Sequence, residues 1–234
     1  MRSTSETPIP GLTVTIDERA VRISSEHELT ALGSAVVGGG YGRYRTILNM
    51  HVDDRYDGER PGDDIADCAA GLGVEGPFIG LMTAAYTEYA RVAVESAGEV
   101  AVAAVVSVGL SNTTCAGVTP PAGQEAPPRP DTINIVLLAD AALSPSALVN
   151  AVITATEAKT MTLAEWDVKT PGGEPASGTS TDTVVVACTG RGETLDYAGP
   201  ATLVGWLAAR AVRAAITRIC REKLARDGGR RVGW

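Results

Sequence analysis

Three short runs constrain the architecture more than anything else in this chain. Val100 to Leu110 is 11 residues long and almost wholly apolar. Thr132 to Ala139 and Thr183 to Ala187 repeat that character at strand length. None of them alternates apolar with polar residues, as a strand with one wet face does. Strands of this composition are buried on both faces, so other layers must cover the sheet on both sides. The longest run is also far short of the roughly 20 apolar residues a membrane-spanning helix needs. The expectation is an α/β (or α+β) fold, a single layered domain with a mixed β-sheet packed by helices. At 234 residues one large domain is the better expectation than two small ones. Only 4% of residues are aromatic, so the core has to be built from Ala, Val, Leu and Ile.

Other elements fall around these runs. Residues 1–11 are polar with Pro8 and Pro10 and read as a flexible arm, followed by the domain over 12–226 and a basic tail over 227–234. Leu12 to Ile16 and Ala20 to Ile23 alternate about Asp17-Glu18-Arg19, which predicts a β-hairpin. Leu32 to Val37 is a strand candidate running into Gly38-Gly39-Gly40, a tight turn or a close approach to a large ligand. Arg45 to Val52 reads as a strand, and the acidic stretch Asp53 to Asp67 as a loop entering a short helix. Gly80 to Val94 places Met82, Ala85, Tyr89 and Val92 on one stripe and predicts a helix. Thr119 to Asp131, with five prolines, is an exposed loop. Ser144 followed by Pro145 is a helix start, and that helix runs to about Glu165. The last helix covers about Ala201 to Arg226, with Leu203, Trp206, Leu207, Val212 and Ile216 as its apolar side.

Charge narrows the function classes. The formal net charge is −8, yet residues 210–234 carry eight basic residues against two acidic ones. The body is strongly acidic, which argues against nucleic acid as a partner. The basic stretch reads as a solvated helix end favoured by the helix dipole. Four cysteines form no CxxC pair and only two histidines occur, so no protein metal site is expected. The first residues lack the charged-then-apolar order of a secretory signal. The expectation is a cytoplasmic protein that meets no membrane and for which a homo-oligomer is open.

Four constellations could carry chemistry. The helix from Ser144 is small and apolar almost all round, so it should be buried, yet Asn150, Thr154 and Glu157 share one face. A carboxylate in such surroundings has its pKa raised towards the range useful for proton transfer. Glu157 could equally pair with Lys159 or an arginine on a neighbouring element and only hold the fold. In the strand around Asn49-Met50-His51, alternation puts Asn49 and His51 on one face, where one can bind an amide and the other shuttle protons, although His51 could equally be a hydrogen-bonded histidine at a strand end. Ser111-Asn112-Thr113-Thr114 ends a buried strand, a common place for ligands in α/β sheets, although such residues also cap turns. Asp182, after Thr179-Ser180-Thr181, could orient a base or clamp a hydroxyl, or do ordinary turn chemistry. Tyr41, Tyr44 and Tyr56 are candidates to flank a large ring system.

Several stretches together resemble the adenosylcobinamide amidohydrolase family. The most specific is Val149 to Thr160, VNAVITATEAKT. With it, in the family's order, come Ile47 to Val52, Val108 to Asn112, Thr132 to Ile135, Ala141 to Ser144, Gly178 to Asp182, Val184 to Cys188 and Asp196 to Thr202. The resemblance covers about residues 30–215 and implies hydrolysis of the amide joining a corrin ring to aminopropanol, giving adenosylcobyric acid and 1-amino-2-propanol. It implies a corrinoid as small-molecule partner, with cobalt carried by that substrate and no cofactor required by the protein. On this footing Glu157 or His51 would activate water or a hydroxyl among Ser111, Thr113 and Thr181. Lys159, Asn112 or backbone amides would stabilise the oxyanion, Asp182 would orient the base, and Asn49, Asn134 and Asn150 would bind substrate amides. A corrinoid-binding or delivery protein without hydrolysis is the alternative.

Overall fold

The computed structural model describes residues 3–7, 9–121 and 131–228. In chain order the elements are β1 (Ser3–Glu6), β2 (Leu12–Ile16), β3 (Ala20–Gly33), β4 (Gly40–His51), α1 (Pro61–Gly71), β5 (Phe78–Thr83), β6 (Arg91–Ala97), β7 (Val100–Val108), β8 (Thr113–Thr114), β9 (Ile133–Ala139), β10 (Ala142–Leu143), α2 (Pro145–Glu165), β11 (Gly178–Thr179), β12 (Thr183–Cys188), β13 (Thr194–Leu195) and α3 (Leu203–Arg226). Nine strands form one mixed sheet in the order β1-β2-β3-β12-β9-β7-β6, with β4 also paired to β3 and β5 to β4.

The sheet folds over on itself at β3. This strand is 14 residues long and its register against β4 shifts between Ser24 and Leu29. Before the shift it pairs with β2, and after it with β12. A bulge of this kind bends and twists a strand, so the two halves of the sheet come face to face. Ile23, Ile47, Ile79 and Leu81 from one half share a buried cluster with Val105, Val136, Leu138 and Val185 from the other. On the outer face of the second half, Val106, Ile135, Leu137 and Val186 pack against Leu148 and Ala155 of α2 and Leu207, Ala211 and Ile216 of α3. Helix α1 covers the outer face of the first half, setting Ala69 on Ala20 and Leu48, and Ile65 on Met50. The result is four layers: helix, half-sheet, half-sheet, helix pair.

The all-apolar runs are explained by this stacking. In β9, Ile133, Ile135 and Leu137 face the helices while Val136 and Leu138 face the other half-sheet. Burying one such side chain stabilises by about 1.5–3 kcal/mol, so a polar residue is tolerated here only when it finds partners. Local signals set the helix starts. Ser144 Oγ accepts from the Ala147 amide at 3.2 Å, with Pro145 in the first turn, and Thr202 Oγ1 accepts from the Gly205 amide at 3.2 Å.

Several expectations are corrected. The segment 80–94 is not a helix: β5 lies parallel to β4, a single 3-10 turn covers Thr87–Tyr89, and β6 follows. A short apolar run fits both periods, and here pairing with β4 decides. The stretch read as a flexible arm contributes β1, antiparallel to β2, and Ile9 is fully buried. Helix α2 is not buried all round, since Val149 and Ile153 are each 49% exposed. Leu203 and Trp206 likewise lie outward on α3 rather than on its apolar side. The glycine run makes the turn from β3 to β4: Gly38 has φ +65°, and a Cβ there would sit 2.5 Å from the Phe78 carbonyl oxygen. It is the backbone of β5, not a ligand, that comes close. Most of the proline loop (122–130) and of the basic tail (229–234) lies outside the described residues.

Candidate active site

A cleft of about 850 Å³ opens where the two half-sheets end. The C-terminal ends of β4, β5 and β7 meet there with the start of β9, and the last turns of α3 form a further wall. His51, Tyr86, Ser111 and Asp131 line it, with Lys223 and Arg226 from the helix. Its size lies towards the upper end of the roughly 300–1,000 Å³ usual for small-molecule sites.

Alternation along the strands decides which polar residues reach the cleft. On β4, Ile47, Asn49 and His51 share the inner face. Asn49 is still between the layers, where its Nδ2 donates to Ser107 Oγ of β7 at 3.0 Å. Its Oδ1 accepts from Asn134 Nδ2 of β9 at 2.8 Å, and that amide also donates to the Met82 carbonyl at 2.9 Å. Asn49 and Asn134 are therefore partners of each other inside the sandwich, 6% and 2% exposed. They do not line the cleft, contrary to the amide-binding role expected of them.

Two residues after Asn49, His51 reaches the cleft and is half-buried. Its ring stacks on Tyr86 with centroids 5.4 Å apart and planes 32° apart. His51 Nδ1 is buried and has no hydrogen-bond partner among the described residues. A buried nitrogen left unpaired costs about 1–3 kcal/mol, which a bound water or substrate group would relieve. The neighbouring Asp53 carboxyl is held below its usual range, first by the Arg55 backbone amide, which donates to it at 2.9 Å.

On the opposite side lies a connected polar cluster. The Ser111 amide donates to Asp131 Oδ2 at 2.7 Å, and Thr181 Oγ1 donates to the Asp131 carbonyl at 3.2 Å. Asn112 Nδ2 donates to Ser180 Oγ at 3.0 Å, and Thr113 Oγ1 to the Lys169 carbonyl at 2.9 Å. Asp182 is the hub. It pairs with Lys159 Nζ of α2, accepts from Thr179 Oγ1, and accepts from the Ile133 amide at 3.1 Å. Gly178 is needed here, because a Cβ would lie 2.2 Å from Asp182 Oδ2 and 2.4 Å from Lys159 Nζ.

Ser111, Asn112, Thr113, Lys159, Thr181 and Asp182, read separately from the sequence, are thus brought together. Only Ser111 of the three candidate hydroxyls lines the cleft. Glu157 is exposed on α2 and is not part of the cleft, so the buried environment expected for it is absent. Asn150 is half-buried in the second turn of the same helix, also outside the cleft. Tyr41, Tyr44 and Tyr56 do not line it either; Tyr56 donates to Asp64, and desolvation followed by that contact pushes its pKa up to about 12. The aromatic residues of the cleft are Tyr86 and Tyr89, hidden from sequence reasoning by the helix assigned to 80–94. Lys223 and Arg226 were missed because the basic helix end reads as solvated. The order of strand end followed by a polar residue, as in Thr83 to Tyr86, was the available signal.

Among the described residues no three His, Cys, Asp or Glu side chains converge as a metal-binding set, and no helix is long and apolar enough to cross a membrane.

A Burkholderia sp. β-aminopeptidase structure aligns over 90% of this chain and 84% of its own at 14% identity and a TM-score of 0.48, too distant a likeness to bear on chemistry. Sequence relatives are nearer. An adenosylcobinamide amidohydrolase of Methanosarcina mazei is 32% identical over 199 residues, 81% of this chain and 88% of its own. Another, from Halobacterium salinarum, is 36% identical over 185 residues, 76% of this chain and 74% of its own. The family model described as adenosylcobinamide amidohydrolase matches residues 7–228, which takes in every strand of the cleft and the helix that walls it. This chain belongs to the adenosylcobinamide amidohydrolase family.

Proposed function

We propose that the cleft at the end of the sandwich hydrolyses the amide between the corrin ring and aminopropanol of adenosylcobinamide. The observation that carries this reading is the cleft itself: at about 850 Å³ it suits a large substrate rather than a simple amide. Its wall of His51 and Ser111 supplies the two kinds of group that amide hydrolysis requires.

His51 takes a proton from the attacking water and returns it to the departing amine; the water's oxygen becomes part of the new carboxylate. An imidazole suits this exchange because one ring nitrogen can accept the water's proton and then donate it to the leaving nitrogen. The Ser111 hydroxyl donates to the carbonyl oxygen as it gains charge, a contact that strengthens in the transition state. Lys159 and Asp182 act one step back. Their buried pair fixes the turn over residues 178–182, and Thr181 in that turn fixes Asp131, which in turn holds the Ser111 amide.

The test is incubation of purified protein with adenosylcobinamide, following aminopropanol and adenosylcobyric acid by mass spectrometry. Stoichiometric release of both supports the reading. A persistent shift of the corrinoid spectrum with no release of aminopropanol overturns it in favour of a binding or delivery protein.

A further inference from the structure

One wall of the cleft carries an aromatic ledge that amide hydrolysis itself does not require. Tyr86 stacks against His51 on one side, and Tyr89 meets it edge-on at 6.0 Å with the ring planes 76° apart. Arg226 of α3 lies 3.8 Å from the Tyr89 ring centroid, so Tyr89 is held against the helix. Tyr86 is fixed by these neighbours yet keeps 63% of its surface exposed within the cleft. An immobilised aromatic ring with open surface in a cleft is a stacking platform for a planar heterocycle. Its width is that of one phenol, which matches a purine and not the several-fold broader corrin. The Asp53 and Asp54 carboxylates line the same cleft as acceptors for an exocyclic amine.

We propose that Tyr86, braced by His51 and Tyr89, is where the adenine of the adenosyl ligand stacks, so that Tyr86 sets the preference for adenosylated corrinoids over those with a small ligand on cobalt. This inference rests on the corrinoid amidohydrolase reading above.

The experiment compares kcat/KM for adenosylcobinamide and cyanocobinamide in the parent, Tyr86→Ala and Tyr86→Phe proteins. Stacking of one base has an effect equivalent to about a 5- to 150-fold change in binding. Tyr86→Ala should therefore cut the adenosyl-to-cyano ratio within that range, through KM for the adenosyl substrate. Tyr86→Phe keeps the ring and should keep the ratio. An unchanged ratio in Tyr86→Ala, or an equal loss on both substrates, overturns the proposal. If the parent cleaves neither corrinoid, the amidohydrolase reading fails and the ledge is judged by adenosine alone. Saturation transfer from the parent protein to the purine protons, lost in Tyr86→Ala, upholds it; no transfer from the parent overturns it.

Discussion

The buried Lys159–Asp182 pair offers the sharpest test of how the site is held. The two side chains are 7% and 13% exposed. Removing one partner of a buried pair costs about 3–5 kcal/mol, because the other charge stays desolvated and unpaired. The two removals should differ. In Lys159→Met the carboxylate keeps the Thr179 hydroxyl and the Ile133 amide as donors, so the cost should sit near the lower bound, about 3 kcal/mol. In Asp182→Ala the ammonium loses the one acceptor the described residues give it, and Thr179 and Ile133 lose theirs, so the cost should approach about 5 kcal/mol. For a chain of this size each kcal/mol shifts Tm by about 2–4 °C. The expected drops are thus about 6–12 °C and about 10–20 °C. Urea unfolding followed by circular dichroism, with a thermal scan, measures both, and Lys159→Met/Asp182→Leu should recover much of the loss. A cost below about 1 kcal/mol for Lys159→Met, the range of an exposed pair, would refute the reasoning. So would a cheaper Asp182→Ala, since Asp182 would then not be the hub.

Further outcomes follow from single features of the structure. His51→Gln should lower turnover by about 100-fold or more, whereas Glu157→Gln, which lies outside the cleft, should leave it near the parent value; steady-state rates decide, and the reverse order would move the base to α2. The Glu222 carboxyl on α3 is held below its ordinary 4.5, first by Arg91 of β6 and then by Arg218. A carboxyl lowered in the folded state contributes stability above its unfolded value and loses it as pH falls through the folded one. Glu222→Gln should therefore flatten the decline of stability on the acid side of 4.5, and parallel curves for parent and variant would contradict this. Burial pushes the Cys220 thiol up to about 12 and also raises Cys188, while Cys68 and Cys115 are half-buried. Ellman's reagent should label at most two of the four thiols in the native protein, and rapid reaction of a third would contradict the burial of Cys188 and Cys220.

What could be read from the sequence depended on whether the cause was local. Ser144-Pro145 gives a helix start through atoms within one turn, and α2 begins there. The apolar runs of β7, β9 and β12 each demand cover on both faces, and each has it. By contrast, Gly80 to Val94 is a strand, a turn and a strand because Thr46–His51 lies alongside its first half, a pairing no local period reveals. The site behaved likewise. The residues of the Asp182 cluster were recognisable as polar groups at strand ends, but their convergence depends on β7, β9 and β12 being adjacent. Asn49 was placed on the same face as His51, as the structure has it. It lies inside the sandwich rather than at the cleft because one further residue pair along the strand separates the interlayer core from the mouth of the cleft. Glu157 looked buried because its helix is rich in small apolar residues, yet α2 turns Val149 and Ile153 outward too.

The cleft draws its walls from segments as far apart as His51 and Asp227. Helix α3 follows every strand among the described residues, so a ribosome has delivered the whole sandwich before the last wall exists. A nascent chain therefore has no enclosed site at any earlier stage, and no fragment ending before α3 can hold a ligand between both walls. The second wall is added only when α3 packs against β7, α2 and β6.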